Sequence, residues 1–269
     1  MRLYWSLNWS LTIGRQGNLT MRLYIAEMLA AIRVSLADRT NFLVLFGGMV
    51  LNNGFVLLMW FLFFAGFRSV RGWRLEDMAL QIGVLAISFG VAGVFAGGYR
   101  DMAAVILRGD LDAWLTQPRA VLPRVLAQES AAPAWGDILV GVVLLAFAAS
   151  LRLGDLPAVL FVLGGSLIVY LATGVLFASL AFWARGARSF ARDMVEFVLL
   201  FGTWPGSIWS GATKVIVYTI VPAGFVVVLP VRFLREPTAA EGLLVVAAAL
   251  AYAVLALAVF RAGLRRYRR

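Results

Sequence analysis

The side chains able to do chemistry in this sequence are few, and most of them are grouped. Histidine and cysteine are both absent, which removes the commonest metal ligand, the usual base near neutral pH, disulfides and thiolate nucleophiles. A serine–histidine dyad is therefore impossible, and no paired acidic metal motif is present. The only lysine, Lys214, sits in S-G-A-T-K-V, which does not match the G-x-x-x-x-G-K-[ST] loop that cradles nucleotide phosphates. What remains is one polar stretch, Arg100 to Arg124, reading R-D-M-A-A-V-I-L-R-G-D-L-D-A-W-L-T-Q-P-R-A-V-L-P-R. Its Arg108, Asp110, Asp112, Trp114 and Gln117 offer ion pairs, hydrogen bonds and an aromatic face, which is the chemistry of gripping a partner and not of breaking a bond.

Local signals shape this stretch. Leu107, Leu111, Trp114 and Leu115 fall at i, i+4, i+7 and i+8 on one helical face, with Arg108 and Asp112 on another. Gly109 suits the left-handed position that ends a helix, Asp110 suits a cap for the next, and Pro118 stops that one. The expected shape is two short helices lying at a membrane surface.

The elements that must position this stretch are built for lipid. Hydrophobic residues make up 62% of the 269-residue chain and the mean hydropathy is +0.88, beyond the roughly 45–50% apolar usage of soluble domains. That reads as an all-α integral membrane protein, one bundle of about six transmembrane helices. The net charge of +10 is scattered between apolar runs and not collected on one segment, which argues against nucleic acid as a partner.

Residues 1–20 read as an N-terminal extension without the long apolar core of a signal peptide, and M-R-L-Y recurs at Met1 and Met21, as a start site placed too far upstream or a coincidence would give. Residues 21–269 read as a single transmembrane domain. Its first part, residues 21–41, reads as an interfacial helix with Leu29, Ile32 and Leu36 on one side. Spans are expected at about 42–67, 78–99, 125–150, 157–183, 194–204 and 243–260. Asn52 and Asn53 are the only strongly polar members of the first span, suited to hydrogen bonds between helices or to lining a path. Glu129, Pro133 and Asp137 sit at the entrance of the third, and Arg192 and Glu196 are spaced to pair across a helix turn. Residues 205–235 are broken by Pro205, Gly206, Gly211, Pro222, Gly224 and Pro230 and read as a re-entrant hairpin, buried or lining a vestibule.

Arginine sets the orientation. With six crossings and a cytoplasmic N-terminus, 17 of the 24 Lys/Arg fall inside and 7 outside, the sign expected of cytoplasmic loops. A full crossing at Val215 to Leu229 would reduce the split to 14 against 10. Both termini and the Arg100 to Arg124 stretch are then cytoplasmic.

Three segments carry a resemblance: I-L-R-G-D-L-D-A-W-L-T-Q-P from Ile106 to Pro118, F-G-T-W-P-G-S-I-W from Phe201, and the V-L-P ending at Pro230. From about Met21 to the C-terminus the chain resembles the permease subunits of ATP-binding-cassette exporters of the second exporter type, in a bacterial branch of unassigned substrate. The resemblance implies an N-terminal interfacial helix, a cytoplasmic coupling helix between the second and third spans, and re-entrant helices before the sixth. It implies the bacterial cytoplasmic membrane, a second permease subunit completing a homo- or heterodimer, and a separate ATPase subunit holding ATP and magnesium, with no cofactor in this chain. On that likeness Arg108, Gly109, Asp110, Asp112, Trp114, Gln117 and Pro118 form the ATPase contact. A hydrophobic or amphipathic cargo would pass Asn52, Asn53 and Trp204. The competing reading is an ion-coupled secondary transporter, which needs ionisable groups near the bilayer centre and paired broken helices; here the charges gather at boundaries and one broken segment is evident.

Overall fold

In a lipid interior each backbone N–H and C=O has to be satisfied within its own segment or by a close neighbour, and the chain answers with helix after helix. The computed structural model describes residues 21–117, 120–148 and 153–268; the predicted extension over residues 1–20 lies outside them, as does Pro118. Among the described residues there is no strand, only an isolated bridge between Val70 and Trp73.

The order is α1 (residues 21–37), α2 (Arg39–Gly66), α3 (Leu75–Phe95), α4 (Met102–Arg108), α5 (Asp112–Leu115), α6 (Val121–Ala127), α7 (Ala134–Ala148), α8 (Leu156–Ser179), α9 (Ala187–Gly202), α10 (Gly211–Thr219), α11 (Leu229–Arg235) and α12 (Ala239–Tyr267). Four helices are long and apolar enough to cross a membrane: α2, α3, α8 with its 3-10 extension, and α12. The apolar run Ala134–Phe147 is shorter, and α10 with Gly224–Arg235 makes a pair bent by 79°. Length and composition alone thus give four or five crossings and not the expected six.

The directions of α7 and α9 follow from their contacts. α7 runs antiparallel along α3: a Cβ on Gly90 would meet the Ala134 carbonyl oxygen at 2.8 Å, and one on Gly141 would meet that of Gly83 at 2.9 Å. Small residues allow this approach, and dispersion over the seam replaces the hydrophobic drive that lipid does not provide. α9 starts beside the end of α8, where Phe190 stacks edge-on with Phe177 at 5.7 Å, and finishes beside the start of α3, where the Gly202 carbonyl accepts a hydrogen bond from Gln81 Nε2 at 2.7 Å. Both helices therefore pass from one end of the bundle to the other.

Several expected boundaries shift for local reasons. α3 starts at Leu75, three residues early, because Asp77 Oδ2 accepts the Arg74 backbone N–H at 2.8 Å and caps the first turn; it ends at Phe95, and a 3-10 turn, Gly97–Tyr99, finishes the expected span. The third span divides into α6 and α7, because Ala131 N–H bonds the Gly93 carbonyl at 2.9 Å instead of extending α6. The fifth begins at Ala187, taking Arg188, Arg192 and Asp193 into the helix. α12 is longer than expected at both ends, capped by the Thr238 side chain on Glu241 N–H.

The broken stretch folds as two helical segments meeting at the sharp bend. It begins and ends on one side of the bundle, because both ends are tied to the same short loop. Ser207 Oγ meets the Val70 carbonyl and its own carbonyl accepts from Arg71, while Arg235 bonds the Gly72 carbonyl and pairs with Asp77 at 3.1 Å. The tip reaches α12 at Tyr252, whose hydroxyl donates to the Thr219 carbonyl at 2.7 Å, about 20 Å along that helix from Ala239 at 1.5 Å per residue. Gln81, fully buried, donates to the carbonyls of Gly202 and Trp204 and locks the entrance of the hairpin to α3.

α1 lies across the opposite end. Ile32 meets Val94, Ala131 and Ala134, while Leu29 and Leu36 are exposed. Polar anchors decide the rotation, with Tyr24 hydroxyl donating to the Phe95 carbonyl at 2.8 Å and Glu27 pairing with Arg124 at 3.2 Å.

Candidate functional site

The Arg100 to Arg124 stretch folds into an elbow at the end of the bundle that also holds the last turn of α12. α4 buries Met102, Val105 and Ile106 against Val175 and Ala178 of α8, Ala187 and Ala191 of α9, and Phe260 of α12. It stops at Gly109, where φ is +83°, and the N–H groups of Gly109 and Asp110 bond back to the carbonyls of Ile106 and Val105. A side chain at Gly109 would cost about 1–2 kcal/mol in this left-handed conformation. Gly109→Ala is accordingly expected to lower the melting temperature measurably, while Gly164→Ala, whose Cβ meets nothing within 4 Å, does not.

Two local readings are corrected. The N-cap position of α5 is Leu111, with no side-chain cap bond; the Asp110 carboxylate does not cap but takes Arg108 Nε at 2.8 Å. The reversal at Gly109 also breaks the expected apolar stripe, so Leu111 is fully buried while Leu107 is exposed. The outward surface of the elbow is Leu107, Arg108, Asp110, Asp112, Ala113, Thr116 and Gln117.

Its charges are held in place. Arg108 forks between Asp110 and Asp101, the latter at 3.2 Å from both terminal nitrogens; the bonds to Asp110 and then Asp101 raise its pKa above the ordinary value. Asp101 also pairs with Arg188 of α9 at 3.6 Å. The Tyr267 hydroxyl lies near Gly109 and the Asp112 carboxylate, setting the elbow against α12. Trp114 is half-buried with the Arg124 guanidinium 5.2 Å from its ring centre, and Gln117 Oε1 accepts from Arg124 at 2.9 Å. Trp114, Arg124 and Glu129 line a cleft of about 440 Å³ against α1; burial pushes the Glu129 carboxyl above its ordinary value, against the pull of Arg100.

The residues suggested for a substrate route are not brought together. Asn53 Nδ2 donates to Asp137 Oδ1 at 2.7 Å between α2 and α7, whereas Asn52 is exposed and its amide reaches Met49 Sδ of its own helix. Trp204 lies farther along α2, edge-on to Trp60 with ring centres 5.7 Å apart. Asp137 is 4% exposed and its Oδ2 has no hydrogen-bond partner. Asn53→Ala, which removes the other bond as well, is expected to destabilise the protein by about 1–3 kcal/mol, read as a lowered melting temperature in detergent.

Sequence reasoning missed a cluster centred on Arg100, Tyr99 and Tyr170. The two tyrosines are 71 positions apart and bond hydroxyl to hydroxyl at 2.9 Å; no local pattern signals such a pair. Among the described residues no group of three or more acidic side chains could hold a metal ion.

A search of curated proteins gives no match, and neither does a search of solved structures. The family model described as ABC-2 family transporter protein matches residues 50–269, which takes in α3, the elbow, the bent hairpin and α12. This chain belongs to the ABC-2 transporter family, as a multi-pass membrane protein and a permease subunit of an ABC transporter.

Proposed function

We propose that the chain is the membrane-embedded half of an ATP-driven exporter, crossing the bilayer six times by α2, α3, α7, α8, α9 and α12. The elbow at α4 and α5 acts as its coupling element. The observation that carries this reading is the elbow itself, with exposed Arg108, Asp110 and Asp112 outward and a buried apolar side bedded against α8, α9 and α12. A push on such a rigid, partly charged projection is transmitted to three helices at once, which is what a separate ATPase requires of a permease. ATP and magnesium belong to that partner.

The same reading puts the elbow, α1 and the arginines of the α12 terminus in the cytoplasm, in agreement with the positive-inside bias. The membrane is the bacterial cytoplasmic membrane. α2, with one buried residue among 28, supports a second permease, the same chain or a paralogue, packed along it. The exposed aromatic and aliphatic side chains around the bundle fit a hydrophobic or amphipathic cargo.

Purification from native membranes tests the proposal. An ABC ATPase, with or without a paralogous permease, is expected to copurify; a chain that arrives alone and transports without nucleotide overturns it. An ion-coupled carrier is the second reading, favoured only by the unpartnered oxygen of Asp137. Asp137→Asn in the reconstituted complex separates the two: ATP-driven transport persists on the first reading, and on the second an ion-gradient-dependent uptake by the chain alone disappears.

A further inference from the structure

A cleft of about 330 Å³ opens between the elbow-side end of α3, α8 and α9, within the low part of the roughly 300–1,000 Å³ range of ligand pockets. Phe89, Ala178, Val195 and Leu199 give it apolar walls, and Arg100 and Glu196 stand among them. The arginine is mounted with care. Gly174 leaves room for the Tyr99 ring, since a Cβ there would meet its Cδ2 at 2.6 Å. The Tyr99 hydroxyl, already bonded to Tyr170, accepts Arg100 Nε at 3.3 Å, and the guanidinium carbon lies 4.5 Å from the Phe89 ring centre.

These contacts fix the guanidinium plane while leaving its terminal N–H groups without a carboxylate. Four arginines nearby each have one: Arg108 with Asp101 and Asp110, Arg124 with Glu27, Arg188 with Asp101, and Arg192 with Glu196 at 3.0 Å. Arg100 forms no ion pair among the described residues, and Glu129 is felt only at a distance. Because Arg192 and Glu196 pair with each other, the cleft's remaining positive charge is Arg100, with Glu129 and Asp137 in electrostatic range but neither in an ion pair with it. Beyond it, α9 exposes Phe197 and Leu200, continuing the apolar wall outward.

We infer that this cleft binds an acidic amphiphile, its phosphate or carboxylate head gripped by Arg100 and its chain lying along Val195 and Leu199. A planar guanidinium with a free fork recognises oxyanions in a bidentate manner, and an apolar wall leading away from it suits an alkyl chain. The inference rests on the proposed placement of this end at the cytoplasmic face, and not on the ATPase partnership. A resident anionic lipid and an anionic cargo share this chemistry.

The test is native mass spectrometry of the full purified chain with phosphatidylglycerol, phosphatidylcholine or dodecyl phosphate. The unaltered chain is expected to retain phosphatidylglycerol and dodecyl phosphate, and Arg100→Gln to lose roughly tenfold in affinity for both. Arg100→Lys keeps the charge without the fork and falls between. Val195→Trp fills the cleft and abolishes binding with Arg100 intact, so the test survives if Arg100→Gln does not fold. Equal binding by the unaltered chain and a folded Arg100→Gln or Val195→Trp overturns the site. Competition by inorganic phosphate as strong as that by dodecyl phosphate overturns its apolar half. In the reconstituted complex, transport of dodecyl phosphate lowered by Arg100→Gln identifies cargo, and unchanged transport with lost binding identifies lipid. Copurification without an ATPase would sink the functional proposal and leave these binding results standing.

Discussion

Arg108→Glu or Asp112→Arg is expected to cut ATP-driven transport by roughly tenfold or more while the protein still inserts and folds. Arg108 is the one cation between Asp101 and Asp110, at 3.2 and 2.8 Å, so a glutamate there sets three carboxylates side by side and reverses the sign of the elbow surface. Asp112→Arg puts a positive charge beside the Tyr267 hydroxyl and, on the proposed reading, at the surface the ATPase would meet. Both positions are exposed, and exposed ion pairs contribute little to folding stability; the buried face of α4 at Met102, Val105 and Ile106 is untouched. ATPase rate and cargo uptake in proteoliposomes, with protease protection as the insertion control, read the effect. Normal coupled rates in both variants would remove the elbow from the ATPase contact.

Gly98→Ala is expected to have the largest effect on folding, a loss of about 3 kcal/mol or more from a single methyl group. The Cβ would fall within the carbonyl group of Val125, with Gln128 Cγ only 3.0 Å away. A flexible side chain can move aside, but here the obstacle is the backbone of α6, and neighbouring Gly97 faces the Glu129 carbonyl oxygen at 2.7 Å in the same manner. The 3-10 turn that contains Gly98 also carries Tyr99 and leads into Arg100, so a displaced α6 would disturb both the elbow and the inner cleft. Fluorescence-detected size exclusion after heating measures the outcome; a melting curve like that of the unaltered chain would refute the close approach.

What could be read in the sequence follows physical range. Long uninterrupted apolar runs announced α2, α3, α8 and α12, and the Pro and Gly spacing of residues 205–235 announced a break, because both are local consequences of lipid and of backbone geometry. Gly109 was legible as a left-handed helix stop, and Arg192 with Glu196 as a pair, for the same reason. The role of Asp110 was not, since a carboxylate next to an arginine has a better partner than the N–H groups of the next helix. The rotation of α1 was equally hidden: Tyr24 and Glu27 reach Phe95 and Arg124, more than 70 positions away. Arg100 looked like an ordinary boundary charge because its setting is made by Phe89, Tyr99, Tyr170 and Gly174, which meet only when α3 and α8 pack.

The loop at residues 68–74 turns through Arg71 and Gly72, both with positive φ, and from it hang both legs of the broken hairpin. Asp77 and Gln81, buried at the top of α3, fasten α11 and the end of α9 to the same point. Amides in so densely bonded a knot exchange with solvent only when much of the molecule opens. On the proposed coupling role, motion delivered at the elbow cannot emerge at this rim as a single flap lifting on its own. It has to arrive as a rocking of whole helices, with the rim carried along as one stiff plate.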